Sequence, residues 1–276
     1  MKRIGIMQGR LSPPTNGKFQ SFPKYSWEEE FRKAESCGLK SIEWIFEADN
    51  HDQNPLSSDA GIKNINQVCR ETGVIIESIC ADYFMDIPYF NLEIKEKINL
   101  QNKLRWLIAQ AVKINVKYID LPFVDSSSIG GKYNFDQVIE FVTPSIEIAE
   151  KNNIIIALET DLNPTEFKSL LELFNHKSIR ANYDTGNSSG IGYDSREELK
   201  TYGKYISTLH IKDRLLNNGT LPLGTGSANF DIFFQELAKL DYKGPIILQA
   251  AREADEIKTA IANCKFVNTY MSKYNI

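Results

Sequence analysis

The sequence of 276 residues predicts an α/β protein, a single (β/α)₈ (TIM) barrel that forms one domain over residues 1–276. Short apolar runs rich in Ile and Val alternate with longer amphipathic stretches, which is typical of a parallel sheet covered by helices. Eight such units fill the chain, and a (β/α)₈ barrel usually takes about 250 residues. No G-x-G-x-x-G fingerprint follows the first strand, which disfavours an open dinucleotide-binding sheet.

The eight predicted strands are short apolar runs, and most of them end at a polar residue. Pro122 follows the fourth strand directly and is expected to end it. The predicted strands cover residues 4–7, 41–44, 74–80, 118–121, 154–159, 179–184, 205–210 and 246–248.

The predicted helices carry recognisable start and stop signals. Ser26 is a suitable N-cap, Gly38 and Gly73 are suitable stops, and Pro164 stands at a typical first-turn position. The helices are expected over residues 27–37, 59–72, 93–114, 135–152, from 164 onward, 195–202, from a cap at 229 or 231 to 240, and 253–271. Residues 81–92, 185–190 and 216–229 are predicted to be loops.

The composition argues against several classes of function. The formal net charge is −4 and the basic residues are scattered, so the basic stripe of nucleic-acid binders is absent. No window approaches the roughly 20 apolar residues of a membrane span, and residues 1–6 contain no signal-peptide core. The four cysteines form no C-x-x-C motif, so we expect no disulfide framework and a cytoplasmic location.

Three ionisable residues end successive predicted strands. Glu159, Asp184 and His210 are separated by 184 − 159 = 25 and 210 − 184 = 26 residues, close to one βα unit of roughly 25 to 35 residues. The C-terminal ends of barrel strands meet at one mouth, so these side chains should converge. Each alone is explained as well by a loop residue or a helix cap. Together, two carboxylates and an imidazole favour a site for a divalent metal.

Gln249 follows the eighth strand. Its amide oxygen could be a fourth metal ligand, and the amide is equally suited to hydrogen bonding inside the mouth. Further candidates for substrate binding lie near other strand ends: Gln8, Arg10, Glu43, Asp82, Lys212 and Arg252. Asp120 on the fourth strand and Arg214 after the seventh are expected to line the same mouth. Arginines there could clamp a phosphate or carboxylate, or pair with a neighbouring acid. Four aromatic residues could form an apolar wall against a sugar, although barrel packing is the better explanation for each one: Trp44, Tyr83, Phe84 and Phe123. His51 and His176 are expected to be solvated.

These residues resemble the xylose-isomerase-like TIM barrel superfamily, and more closely its sugar phosphate isomerase/epimerase group, which includes tagatose and psicose 3-epimerases. The resemblance covers essentially the whole chain and is most specific in the C-terminal half. It rests on Glu159, on Tyr-Asp-Thr-Gly-Asn at 183–187, on His-Ile-Lys-Asp-Arg at 210–214, on Leu-Gly-Thr-Gly at 223–226 and on Tyr-Lys-Gly-Pro-Ile-Ile-Leu at 242–248.

The resemblance implies one divalent metal, most often Mn²⁺ with Co²⁺, Mg²⁺ or Zn²⁺ as alternatives, bound by Glu159, Asp184, His210 and the residue at 249. It implies acid–base chemistry on a carbon next to the carbonyl of a sugar or sugar phosphate, and a possible homodimer. Arg214 matches a basic residue that assists the catalytic carboxylate. Asn187, a further substrate-binding candidate, stands where a histidine often follows the aspartate. Endonuclease IV shares the fold, but three histidines can hardly build its histidine-rich three-metal site.

Gln249 departs from the family pattern because the second catalytic glutamate belongs there. A glutamine cannot take up a proton. With Glu159 as the base, an isomerase that returns the proton to the same face is favoured over an epimerase that needs a second acid. Glu43, Asp82 or Asp213 could replace the missing carboxylate. A non-catalytic sugar-binding barrel and a metal-dependent hydrolase, lyase or dehydratase remain as alternatives.

Overall fold

A computed structural model describes residues 4–276, apart from the side chain of Asn16, as one closed barrel of parallel strands with helices outside it. The predicted (β/α)₈ barrel is therefore confirmed. The expectation that residues 1–6 contain no signal-peptide core rests partly on residues 1–3, which lie outside the described residues. None of the described helices has the length and hydropathy needed to cross a membrane.

Eight of the ten described strands close the barrel, and each pairs in parallel with its neighbours. The barrel order is β1-β2-β3-β4-β5-β6-β7-β10, and Ile4 opposite Ile246 closes the ring. Strands β8 and β9 form a separate antiparallel ribbon. The strands are β1 Ile4–Met7, β2 Ser41–Ile45, β3 Ile75–Cys80, β4 Tyr118–Phe123, β5 Ile155–Thr160, β6 Ile179–Asp184, β7 Ile206–Ile211, β8 Asp213–Arg214, β9 Thr220–Leu221 and β10 Ile246–Leu248.

The helices begin and end at residues suited to those positions. The Ser58 hydroxyl accepts a hydrogen bond from the Gly61 N–H at the start of α2, and Gly73 ends α2 with φ of 68°. Pro164 opens α6, as predicted. The helices are α1 Trp27–Ser36, α2 Asp59–Thr72, α3 Tyr83–Asp86, α4 Ile94–Lys113, α5 Phe135–Lys151, α6 Pro164–Phe174, α7 Thr185–Gly190, α8 Ser195–Tyr202, α9 Phe230–Leu237 and α10 Glu256–Tyr274.

Two elements were not expected near the strand ends. The prediction of a loop at residues 185–190 is wrong, because the Asp184 carboxylate caps the short helix α7 through the N–H groups of Gly186 and Asn187. The prediction that Pro122 ends the fourth strand is also wrong. Strand β4 continues to Phe123, and beyond Asp120 it pairs only with β5. A proline is tolerated there because it lacks a donor on a side that has no partner strand.

The other two predicted loops also contain regular structure. Residues 81–92 include the one-turn helix α3, and residues 216–229 include strand β9. The buried Asp213 carboxylate accepts hydrogen bonds from the N–H groups of Gly224, Gly226 and Ala228. One side chain therefore fixes the glycine-rich segment against the barrel, and Asp213 is fully occupied by this structural role.

The aromatic residues considered for a sugar-binding wall are buried in packing contacts. The Trp44 ring lies 5.2 Å from the Phe22 ring and 5.4 Å from the Trp27 ring, measured between centroids. Similar contacts hold Tyr83, Phe84 and Phe123. His51 and His176 are half-buried rather than fully solvated, and the His51 ring packs against Phe46 and Tyr83.

Gly244 permits the close approach of β10 to β7. A Cβ atom at Gly244 would overlap the backbone oxygen of Ser207. We expect Gly244→Ala to lower the free energy of unfolding by about 3 kcal/mol, the upper part of the range for overpacking. Gly219→Ala is the matched control, because a Cβ at Gly219 would meet nothing within 4 Å. Urea denaturation measures both, and equal stabilities of the two variants would contradict this account of β10.

Candidate functional site

The candidate site is a polar cavity at the C-terminal ends of the barrel strands. Its volume is about 120 Å³, well below the roughly 300–1,000 Å³ of pockets for drug-sized ligands. The polar lining comes from six side chains, namely Gln20, Asp82, Glu159, Asn187, Lys212 and Gln249. Apolar lining comes from Phe19, Met85, Pro122 and Val124, and Asp125 lies at the exposed rim. The cavity therefore suits a small polar molecule.

His210 lies fully buried beneath the cavity, with acidic groups on both sides of its ring. Nε2 is 2.7 Å from Oε2 of Glu43, and Nδ1 is 3.4 Å from Oε2 of Glu159 and 4.0 Å from Oδ2 of Asp184. Burial would lower the pKa of His210, but the charge of Glu43 and the hydrogen bond to Glu159 raise it well above its usual value. The surroundings of the ring therefore favour a cation at this position.

Glu159 is held as a carboxylate by several donors. The Asn182 amide donates to Oε2 over 2.9 Å, and the Asn187 amide donates to Oε1. Burial would raise the pKa of Glu159, but the hydrogen bond and charge of His210, with the charge of Lys212, lower it to about 2. Beside it, burial and the charge of Glu159 raise the pKa of Asp120 well above its usual range, which favours the neutral acid.

The two oxygens of Asp184 have different partners. Oδ1 accepts the two N–H groups that begin α7, each over 2.8 Å, while Oδ2 is 3.4 Å from Nζ of Lys212. Nζ of Lys212 also lies 3.1 Å from Oδ1 of Asn187 and 3.3 Å from Oε1 of Gln249. The Lys212 ammonium thus joins three polar groups that line or border the cavity.

A chain of amides crosses the wall of the cavity opposite Glu159. Nε2 of Gln249 donates to Oε1 of Gln20 over 3.0 Å, and Nε2 of Gln20 donates to Oδ2 of Asp82 over 2.8 Å. Burial raises the pKa of Asp82 to about 6, against the hydrogen bonds from Gln20 and Cys80 that lower it. Asp82 is therefore a buried acid that titrates near neutral pH.

The arginines after β1 and β10 contact backbone oxygens rather than the cavity. Arg10 donates from Nε to the Ala250 oxygen and from Nη1 to the Phe19 oxygen, and its Nη2 donates to Oε1 of Gln20. Burial and the charge of Arg252 lower the pKa of Arg10 to about 9. Arg252 donates to the oxygens of Phe19 and Ser12. Together these two side chains fix the loop that brings Phe19 and Gln20 to the cavity.

The other residues predicted from the sequence lie at different depths. Asp82, Asn187, Lys212 and Gln249 line the cavity beside Glu159, whereas Gln8 and Glu43 are buried outside its lining. Gln8 accepts the Ile45 N–H over 2.9 Å. Arg214 reaches Glu159 only indirectly, because its Nη1 donates to Oδ1 of Asn187, whose amide nitrogen contacts Glu159.

Several residues of the site were not in the predicted set. Asn182 precedes Asp184 by two positions, and alternation along a strand puts both on the same face, so this signal was available. Asp120 was expected at the mouth, and the structure buries it fully beside Glu159. Phe19 and Gln20 lie twelve or more residues after β1, in a loop without regular spacing, and no sequence signal points to them.

The residues around His210 fit a divalent cation. Asp120, Glu159 and His210 each place a possible ligand atom within 4.8 Å of the others. In the part of the chain that the structure describes, Oε1 of Glu43 and Oδ1 of Asp120 are buried without a hydrogen-bond partner. A divalent cation would pair these buried oxygens and would favour the ionised form of Asp120. The ammonium of Lys212 already contacts the predicted ligands Asp184 and Gln249, so a metal bound by all four predicted ligands requires this side chain to move.

Comparisons with known proteins agree with this fold. L-ribulose-5-phosphate 3-epimerase UlaE of Shigella flexneri is 22% identical over 263 residues, which cover 90% of this chain and 90% of that protein. A structure of L-ribulose 3-epimerase superposes with a TM-score of 0.75 at 15% identity, covering 100% of this chain and 96% of the other. The IOLI protein, whose structure has a zinc atom, superposes with a TM-score of 0.77 at 15% identity, over 99% of both chains.

The sequence model of one family spans most of the barrel. The model described as xylose isomerase-like TIM barrel matches residues 31–269, a range that begins within α1, ends within α10 and includes every polar residue that lines the cavity except Gln20. The chain therefore belongs to the xylose isomerase-like TIM barrel family.

Proposed function

We propose that this protein is a sugar isomerase or epimerase that removes a proton from the carbon next to the carbonyl of a ketose or ketose phosphate. The observation that carries the proposal is Glu159, an ionised carboxylate at the wall of a small polar cavity with His210 and Asp184 beside it. The names of the similar proteins, L-ribulose-5-phosphate 3-epimerase and L-ribulose 3-epimerase, support epimerisation in particular.

Glu159 is the proposed base. Its carboxylate takes the proton from the substrate carbon, and the released electron pair forms an enediolate with the neighbouring carbonyl. The amides of Asn182 and Asn187 hold the two carboxylate oxygens in place, and Arg214 fixes Asn187 from the other side. The Lys212 ammonium stands at the cavity wall, where its positive charge favours the negative charge that develops on substrate oxygens.

A divalent metal, Mn²⁺ by preference, is the proposed cofactor. Glu159, Asp184, His210 and Gln249 would hold it. When bound, such an ion supplies Lewis-acid polarisation of the carbonyl and the adjacent hydroxyl. A neutral His210 that donates from Nε2 to Glu43 would offer a metal its Nδ1, which lies 3.1 Å from the Asn182 amide nitrogen. Glu43 would then have the outer-shell role that is common for carboxylates near histidine ligands.

The substitution Glu43→Gln tests this role through metal affinity. We expect it to weaken Mn²⁺ binding about 10- to 100-fold, the usual effect of losing an outer-shell partner, because the ring loses the charged acceptor that orients it. Isothermal titration calorimetry measures the Mn²⁺ affinity of protein that has been freed of metal with a chelator. The double variant Asp184→Ala with His210→Ala should bind no ion. Wild-type affinity in both variants would show that the metal does not bind near His210.

The substitution Glu159→Gln tests the base. We expect the rate of epimer or isomer formation to fall about 10²- to 10⁴-fold, the range for loss of a general base. Chromatography of a panel of free and phosphorylated pentuloses and hexuloses measures the products. Glu147→Gln, at an exposed position of α5, is the control and should behave as wild type. A Glu159→Gln protein with the wild-type rate would refute the assignment.

A further inference from the structure

Inversion at a carbon requires one proton-accepting group and one proton-donating group on opposite faces of the substrate. Glu159 supplies only one of them, and the Gln249 amide cannot exchange a proton at neutral pH. Resting on the proposed function, we infer that Asp82 is the second acid/base group and that this enzyme is an epimerase whose proton-transfer pair is Glu159 and Asp82.

Position singles out Asp82 among the acids near the mouth. Asp82 follows β3, Glu159 lies on β5, and both line the same cavity although Asp82 is only 6% exposed. The other acids lack this combination. Asp213 is engaged by three backbone N–H groups, Glu43 lies outside the lining against His210, and Asp125 lies at the exposed rim.

Hydrogen bonds fix the Asp82 carboxyl group. They also give the glutamine at position 249 a role, because it orients the side chain that donates to Asp82. Oε1 of Gln20 accepts from Nε2 of Gln249 and from Nη2 of Arg10, over 3.0 and 3.2 Å. Two donors on one oxygen settle the orientation of the Gln20 amide, so its nitrogen faces Asp82. A glutamate at 249 would have no N–H to give. Gln249 therefore helps position Asp82 through Gln20.

The two carboxyl groups have different environments. Asp82 is buried beside an amide donor and the Cys80 thiol, which donates to Oδ1 over 3.2 Å, and it has no cationic partner among the hydrogen bonds and ion pairs of residues 4–276. Glu159 lies against His210, with Lys212 nearby. The pKa of Asp82, raised by burial to about 6, lets it hold or release a proton near neutral pH. Such different surroundings are typical of carboxyl pairs with distinct acid and base roles.

The proposed reaction consists of two proton transfers at one substrate carbon. Glu159 takes the proton from the substrate carbon as the C–H electron pair enters the enediolate. Protonated Asp82 then gives its proton to the opposite face of the same carbon as the carbonyl reforms. Glu159 ends protonated and Asp82 ionised, and proton exchange with water through the open cavity resets both. The reverse reaction starts with Asp82 as the base.

The substitution Asp82→Asn in deuterated water tests this assignment, because the asparagine keeps the shape but cannot transfer a proton. We expect conversion between C3 epimers to fall at least about 10²-fold. The epimer whose C–H faces Glu159 should still take up deuterium with retention of configuration, whereas the other epimer should take up none. Glu159→Gln should give the reciprocal pattern. NMR of each recovered ketose reads both exchange and configuration.

The control is Asp136→Asn. Asp136 lies in the first turn of α5, is exposed and is outside the cavity lining. It should epimerise and exchange as wild type does. The inference is overturned if folded Asp82→Asn epimerises within about threefold of wild type, or if it slows exchange of both epimers equally, which would indicate a structural role. A wild-type protein that exchanges no ketose proton would instead overturn the proposed function, and this inference with it.

Discussion

The charge balance around His210 is the constraint on which the rest of the site depends. Four acidic residues, Glu43, Asp120, Glu159 and Asp184, place an oxygen within 4.0 Å of one buried imidazole. Ionised groups are costly to bury unless each is paired. The imidazole and the Lys212 ammonium offset this cost. Burial and the charge of Glu159 also raise the pKa of Asp120, which favours the neutral form of that acid. A divalent cation here would extend the same balance.

Some polar side chains at the mouth hold the backbone in place, and others line the cavity. Asp184 uses one oxygen to begin α7 and directs the other towards Lys212. Arg10 and Arg252 donate to backbone oxygens of the loop after β1, and Asp213 accepts from the glycine-rich segment. Arg10, Arg252 and Asp213 therefore hold the backbone of the mouth in place. The cavity itself is lined by one ammonium, two buried carboxyl groups and three amides.

The fold and the centre of the site could be predicted from the sequence because both follow from local periodicity. Strand alternation with helices indicates the barrel, and the spacing of Glu159, Asp184 and His210 indicates one mouth. The far wall could not be predicted in the same way. Gln20 reaches the cavity from an irregular loop whose path is set by Arg10 and Arg252, and these contacts carry no sequence period. Arg10 itself was expected to bind substrate, since a strand-end position does not reveal whether a guanidinium turns inward or towards the backbone.

The loop after β1 is held by bonds between opposite ends of the chain. Arg10 contacts Ala250 across 240 residues, and Arg252 contacts Phe19 across 233 residues. Contacts so distant in sequence form only after the intervening units are in place, because closing a long chain segment costs conformational entropy. During synthesis Arg10 and Phe19 therefore emerge from the ribosome long before their partners Ala250 and Arg252. The contacts through which Arg10 and Arg252 hold the Gln20 loop are complete only once β10 has joined β1.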